Sequence, residues 1–331
     1  MKYAIYGLCG ILGMLTFTAC SINRLAINAV SNALTAEGSA DVFTGDPDPE
    51  LVADAIPFAI KVYESLLSAN PDHQGLILTT GSLFVMYANA FVQGPAEFLP
   101  SLQYREREAA MDRAKQLYLR GAGIILGGLD KKYPGFANAG EQNLEPFLKK
   151  FKKADVGALY WTAAGYLSAF GLNPFDSTLG RRVPVLLRCL ERAYELDPDF
   201  NRCALDEFYI IAYGSLPETM GGSRELAETH FRRAVEKSGG KLAGPYVSYA
   251  ESVSIPAQDY AAFRRCLDAA LAVDVDADPS NRLVNIISRR KARMLLDRAS
   301  DYFFLDEGGD GEGWDDEGWD EETSGAEENG E

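Results

Sequence analysis

Few side chains in this sequence are of the types that catalyse acid–base or nucleophilic reactions. The chain has two histidines, His73 and His230, and a serine or cysteine nucleophile needs a base such as imidazole. His73 follows a turn sequence at residues 70–72, which favours a capping or surface role, whereas His230 stands beside Phe231 in an apolar stripe, which favours a packed histidine. We therefore predict no catalytic residue and no enzyme activity, and two histidines are too few for a multi-histidine metal site.

A partial calcium-loop pattern near the C-terminus is the other candidate for site chemistry. Asp306, Asp310, Gly311 and Glu317 match the first, fifth, sixth and twelfth positions of an EF-hand loop. The third position should supply a ligand, but it is Gly308, and acidic surroundings make partial matches common by chance. We predict no metal site and no cofactor.

The negative charge of the chain is concentrated in its last residues. The 331 residues carry a formal net charge of -16, but residues 306–331 hold 13 of the 48 acidic residues and no Lys or Arg, so that 35 acids face 32 bases in the remainder. A body without excess positive charge argues against nucleic acid as a partner. Residues 306–331 are too charged to fold alone and are predicted to be a disordered acidic tail that aids solubility. A short acidic-aromatic docking segment is the alternative.

The N-terminal residues resemble the signal peptide of a bacterial lipoprotein. Residues 4–17 are uncharged and mostly apolar, a run shorter than the about 20 residues of a membrane span. They lead into Thr18-Ala19-Cys20, which resembles a lipobox, although Phe17 stands where an aliphatic residue is usual. We predict cleavage before Cys20, acylation of its thiol, and a lipid-anchored periplasmic protein, with the inner membrane favoured over the outer. An ordinary secretory signal is the alternative.

Three further cysteines, Cys189, Cys203 and Cys266, lie in segments with helical patterns. An odd number of scattered cysteines is not a disulfide framework. We interpret them as small apolar core residues, and one disulfide is the alternative.

Apolar residues recur with helical spacing through most of the chain. Ile56, Ile60, Tyr63 and Leu67 follow a helical period, and the turn at residues 70–72 ends that helix. The same arrangement recurs at residues 197–199, 239–240 and 278–280, and alternating strand patterns are scarce. We predict an all-α fold: an irregular TPR-like superhelix of helical hairpins in a single body, whose turns do not keep the roughly 34-residue TPR period.

These patterns divide the chain into four parts. Residues 1–19 are the predicted lipoprotein signal peptide and residues 20–49 an N-terminal tether. Residues 50–305 form the TPR-like helical domain, and residues 306–331 are the acidic tail.

Two helical segments lack a charged face. No Asp, Glu, Lys or Arg stands between Asp72 and Glu97 or between Asp155 and Asp176. A helix without charges is surrounded by protein, by membrane or by a cavity, and interspersed polar residues argue against membrane. Two alternatives remain, a packed interior and an internal pore or pocket. The candidate lining residues for the second are Thr79, Tyr87, Tyr160, Trp161 and Tyr166.

One part of the helical domain has a distinctive sequence. Its segments are Ser215-Leu216-Pro217, Met220-Gly221-Gly222-Ser223, His230-Phe231, Gly239-Gly240-Lys241 and Tyr246-Val247-Ser248. Residues 115–121 and 159–164 upstream and residues 281–285 downstream extend the pattern. Together, over roughly residues 45–305, these segments resemble the T-component of TPR-protein-associated TRAP (tripartite ATP-independent periplasmic) transporters.

The resemblance implies an accessory transport role. A T-component is expected to be a lipid-anchored periplasmic helical protein that binds the solute-binding P-component. It is also expected to self-associate as a homotrimer and to pass an apolar or amphipathic solute through a pore in each subunit. The alternative hypothesis is a TPR-like lipoprotein scaffold for envelope assembly with no solute route.

Overall fold

A computed structural model of the protein describes residues 27–36, 38–39 and 41–304, and these residues contain helices but no strand. The all-α prediction is confirmed for them. The lipobox at Cys20, the EF-hand-like pattern and the acidic segment 306–331 lie outside the described residues. The longer helices are α1 (Pro49–Ala69), α2 (Gln74–Tyr87), α3 (Tyr104–Lys132), α4 (Val156–Leu172), α5 (Val183–Leu196), α6 (Ala204–Ser215), α7 (Arg224–Ser238), α8 (Gly244–Tyr249), α9 (Tyr260–Ala272) and α10 (Arg282–Asp297).

Shorter helical segments link these elements. Two π-helical segments, Ala88–Gln93 and Ala250–Ser254, continue α2 and α8. Short α-helices cover Asp41–Thr44, Gly94–Glu97, Glu145–Leu148, Ser177–Gly180 and Ala299–Tyr302. Six 3-10 segments also occur in the part of the chain that the structure describes, namely Ser101–Gln103, Phe136–Asn138, Glu141–Asn143, Lys153–Asp155, Glu218–Met220 and Pro279–Asn281.

Side-chain caps begin several helices at the residues that the sequence indicates. The carboxylate of Asp48 accepts from the backbone N–H of Glu50 at the start of α1 (3.0 Å). Nδ1 of His73 accepts from the N–H of Leu76 in α2 (3.1 Å), which confirms the predicted capping role. Ser223 likewise caps α7. Such caps satisfy amide donors that would otherwise lack a partner in the first helical turn.

The helices form an array that closes on itself. Each of α1 to α4 contacts the next helix along the chain, as do α6 to α9, and α10 returns to contact α1. An ion pair between Arg290 and Glu50 joins these two terminal helices, and the Arg282 guanidinium donates to the carbonyl of Gly45 (3.1 Å). The first and last parts of the described chain are therefore neighbours in space.

The two uncharged segments form α2 and α4, and both are central. Helix α2 contacts α1, α3 and α4, and α4 contacts α2, α3 and α5. Within the described residues, Gln74–Glu97 is one helical run apolar and long enough to cross a membrane, but 56% of its most apolar window is buried inside the protein. Neighbouring helices thus take the place of water or lipid around both segments.

Glycines allow α2, α3 and α4 to approach closely. A Cβ on Gly121 of α3 would lie 2.5 Å from the carbonyl oxygen of Gly81 in α2, and a Cβ on Gly165 of α4 would lie 2.9 Å from the Cβ of Ala122. Such contacts are shorter than packed atoms allow. The helix crossings therefore depend on the absence of a side chain at these positions.

Two details differ from the sequence patterns. Helix α10 ends at Asp297, so the apolar pattern that continues to Ala299 spans two helices, the second beginning at Ala299 itself. Ile211 is an apolar residue of α6, but 42% of it is exposed, whereas its neighbour Ala212 is buried. Helical period alone does not distinguish a core position from the side of the helix that no neighbour covers.

Two glycines of α3 provide a matched test of this packing. Gly121→Ala should lower the free energy of unfolding by about 2 kcal/mol because the new methyl group meets backbone, whereas Gly127→Ala, with open space around its Cβ, should raise it by up to about 1 kcal/mol. Urea denaturation of both variants checks this expectation. Equal effects at the two positions would contradict it.

Candidate functional site

An aromatic cluster surrounds two of the predicted lining residues. The ring of Tyr160 lies 5.0 Å from that of Trp161, and both side chains are half-buried on α4. Phe200 and Phe208 lie 5.4 Å and 6.3 Å from Tyr160. Burial raises the pKa of the Tyr160 hydroxyl above its usual range. The cluster therefore joins α4 to α6 through a large, weakly polar surface.

The other predicted lining residues have different surroundings. The guanidinium of Arg113 lies 5.6 Å from the ring of Tyr87, and that of Arg182 lies 5.1 Å from the ring of Tyr166. Thr79 is half-buried on α2. Neither Tyr87 nor Tyr166 forms a ring pair with Tyr160 in the described part of the chain, so the five candidates do not form one cluster.

Glu207 places a carboxyl group beside the aromatic cluster. It precedes Phe208 on α6, and its Oε1 accepts from the hydroxyl of Ser248 on α8 (3.1 Å). Burial raises the pKa of Glu207, although the bond from Ser248 opposes this shift. Gly244 leaves room for the carboxyl group, because a Cβ there would lie 2.4 Å from Oε1. No cation among the described residues pairs with Glu207, so this buried group can donate as an acid or attract a positive charge.

A second set of charges joins three elements. Nζ of Lys291 on α10 lies 3.2 Å from Glu97 and 2.9 Å from Glu251. Burial raises the pKa of Glu251, and Lys291 only partly offsets the effect. Burial disfavours the charged ammonium, but the two carboxylates outweigh it and raise the pKa of Lys291. Two carboxylates thus share one cation where desolvation is strong.

Hydrogen bonds extend this cluster to α3. Nε2 of Gln93 donates to Glu97 (2.7 Å), and the hydroxyl of Tyr118 donates to Oε1 of Gln93 (2.7 Å). Gln93 and Glu251 both lie in π-helical segments, in which the altered helical winding redirects side chains and which are frequent at functional sites. The cluster therefore joins α3, α10, the short helix Gly94–Glu97 and both π-helical segments.

His230 belongs to a different, fully satisfied network. Its Nδ1 lies 2.7 Å from the buried carboxylate of Asp206, which also accepts from Tyr194 (3.0 Å) and Lys237 (2.8 Å). Burial opposes ionisation of Asp206, but these bonds hold its pKa below the ordinary value. The ring of His230 stacks on that of Tyr209 at 4.7 Å. The prediction of a packed, hydrogen-bonded histidine is confirmed.

The described cysteines have the environment of core residues. Cys189, Cys203 and Cys266 are free thiols, so the alternative of a disulfide among them is wrong. Burial raises the pKa of each thiol to about 12, which suppresses the nucleophilic thiolate. No group of three or more potential metal ligands occurs among the residues that the structure describes.

Sequence patterns did not identify Glu207, Glu251 or Lys291, although one signal was available. Glu251 is the only charged residue between Lys241 and Asp259, and a lone acid in an apolar helical stretch indicates a special environment. Its pairing with Lys291 depends on the position of α10 in the fold, and no local sequence pattern indicates that position.

Comparison with known proteins identifies the family. The family model for the TRAP transporter T-component matches residues 45–303. The chain belongs to this family. A protein of Treponema pallidum (strain Nichols), described only as uncharacterized, is 39% identical to this T-component over 303 residues, which are 87% of this chain and 94% of the relative.

Membership of the family establishes the broad role. This T-component is an accessory subunit of a TRAP transport system, and the family is not a known enzyme family. The aromatic cluster at Tyr160 and the charges at Glu207 and Lys291 all lie within the matched residues 45–303.

Removal of the Lys291 charge should show how strongly Lys291 stabilises the ionised forms of Glu97 and Glu251. Lys291→Met leaves the half-buried carboxylates of Glu97 and Glu251 without their cation and should lower the free energy of unfolding by about 3 kcal/mol near pH 8. Because the pKa of Glu251 is raised, the folded protein binds protons that the unfolded chain releases, and stability falls as pH rises through that interval. Without Lys291 the pKa of Glu251 should rise further. The loss of stability in the variant should therefore be smaller at pH 5 than at pH 8.

Lys131→Met is the control, since the pair between Lys131 and Asp72 is exposed and contributes less than about 1 kcal/mol. Urea denaturation of both variants at the two pH values measures the difference. A Lys291→Met deficit that does not change with pH would contradict the assignment of Glu251.

Proposed function

We propose that this T-component is a lipid-anchored periplasmic adaptor that binds the solute-binding P-component of its TRAP transporter and passes an apolar or amphipathic solute to it. The observation that carries the proposal is the family match over residues 45–303. Acylation of Cys20 would hold the body at a membrane, for which we favour the inner one. Self-association as a homotrimer is part of the proposal.

The surroundings of Tyr160 and Glu207 support an internal solute route. Both side chains are half-buried, and burial raises the pKa of each. The charge of Glu207 also raises the pKa of Tyr160, so the two groups lie close enough to interact. Ile211, one helical turn after Glu207, is 42% exposed and adds an apolar side chain to the same side of α6.

Exposed apolar residues support contacts with other proteins. Leu51, Phe58 and Val62 of α1 have exposed fractions of 58%, 75% and 36%, and their spacing places them along one side of the helix. A contiguous exposed apolar surface is typical of protein–protein contact. It is compatible both with docking of the P-component and with self-association.

The alternative function is a lipoprotein scaffold without a solute route, and a blocked route distinguishes the two. Ile211→Trp should reduce solute uptake by the complete transporter by at least about threefold, while the dissociation constant for the P-component changes by less than about threefold. Leu226→Trp on α7, 44% exposed, is the matched control. Measurement of uptake and of the dissociation constant by calorimetry separates the roles, because a scaffold predicts normal uptake in both variants.

The anchor has its own test. Cys20→Ser removes the thiol that receives the acyl chains, and the variant should move to the aqueous phase in Triton X-114 partitioning because the buried methylenes, each contributing about 0.8 kcal/mol, are lost. Wild-type protein should stay in the detergent phase. If the variant also stays there, the lipobox interpretation is wrong and attachment has another origin.

A further inference from the structure

A cavity separate from the aromatic cluster opens between α3, α4, α5 and the 3-10 turn at Phe136–Asn138. Its volume is about 390 Å³. Leu126 and Leu129 of α3, Leu159 of α4 and Leu186 of α5 provide apolar walls. Leu159 and Tyr160 are consecutive on α4 and therefore point in different directions, so this cavity and the aromatic cluster use different faces of the same helix.

Two arginines give the cavity a positively charged end. Arg181 and Arg182 both line it. Nη2 of Arg181 lies 3.5 Å from the hydroxyl of Thr178, which also lines the cavity, and Arg182 lies over the ring of Tyr166. No carboxylate of the described residues forms an ion pair with either guanidinium.

Other arginines of the neighbouring helix are paired. Arg188 of α5 contacts Glu145 and Glu191 (3.4 Å and 3.1 Å), and Arg192 contacts Glu195 (2.8 Å). The charge at the cavity is therefore specific to that end of α5. Guanidinium groups without acidic partners are suited to bind a carboxylate or phosphate group.

Thr162 provides a second, independent observation. It lines the same cavity, and its buried Oγ1 has no hydrogen-bond partner. An unpaired buried hydroxyl is unfavourable by about 1–3 kcal/mol. Rotation about its Cα–Cβ bond exchanges Oγ1 with the methyl group, so the hydroxyl can serve a polar atom that occupies the cavity.

Hydrogen bonds hold the turn that forms another wall of the cavity. The carboxylate of Asp130 accepts from the backbone N–H groups of Gly135 (3.1 Å) and Ala137 (2.8 Å). Gly135 has φ 94°, a conformation that favours glycine. This turn places Phe136 and Ala137 against the cavity, so the site is formed before any ligand arrives, which reduces the entropy lost on binding.

We propose that this cavity binds a single-chain amphiphile with an anionic head group. The alkyl chain would lie among Leu126, Leu129, Leu159 and Leu186, and the head group would lie at Arg181 and Arg182. A volume of about 390 Å³ is near the lower end of the roughly 300–1,000 Å³ of ligand pockets, which suits one chain rather than a diacyl lipid. The site is independent of the proposed solute route, because it requires neither a P-component nor a pore.

Binding to the isolated full chain tests the proposal. Cys20→Ser is included throughout so that no detergent is needed, and decanoate and decyltrimethylammonium supply the same tail with opposite head charges. Calorimetric titration at pH 8 should give at least about tenfold tighter binding of decanoate. Arg181→Gln/Arg182→Gln should weaken decanoate binding by about tenfold or more, and the corresponding double lysine variant should retain most of it.

Two further variants serve as a test of the cavity and as a control for general loss of positive charge. Val185→Trp fills the cavity, which Val185 lines, and should abolish binding of decanoate, whereas Arg265→Gln on the exposed side of α9 should leave it unchanged. Melting temperatures identify any variant that fails to fold. Absence of decanoate binding, equal affinity for the two amphiphiles, or full decanoate affinity in the double glutamine variant would each overturn the proposal.

Discussion

The absence of charge from α2 and α4 is the constraint on which the rest of the structure depends. A helix with no charged face is unfavourable in full contact with water, so other helices must cover much of it. Helices α1, α3 and α5 do so, and glycines such as Gly121 and Gly165 let the backbones approach within the distance that coverage requires. The central position of both helices follows from their composition.

Charged side chains in such an interior need hydrogen-bond or ion-pair partners, and the number of partners differs from one charged side chain to the next. Asp206 accepts from three donors and is part of the supporting structure. Lys291 serves two carboxylates at once. Glu207 has one hydroxyl donor and no cation. Because desolvation without compensation is unfavourable, the incompletely satisfied Glu207 contributes less to stability than the network at Asp206.

Helix α4 contributes to two separate environments. Tyr160 and Trp161 belong to the aromatic cluster with α6, whereas Leu159 and Thr162 line the cavity beside α5. A helix presents residues three or four positions apart on one side, so these pairs diverge from a common backbone. The lack of charge along α4 is thus consistent with protein or ligand on both sides.

The sequence by itself determined the helical class, the turns that end α1 and α5, the cap at His73, and the central position of the uncharged segments, because helical period, capping and charge patterning act over a few neighbouring residues. It also carried enough of the family pattern to indicate a T-component. It did not show that Tyr87 and Tyr166 lie outside the ring cluster of Tyr160, and it did not identify the partners of Lys291. Those relationships depend on where α10 and the π-helical segments lie after the array closes. Only the tertiary structure decided them, since contacts between residues about 200 positions apart are specified by packing of whole helices and leave no local periodicity.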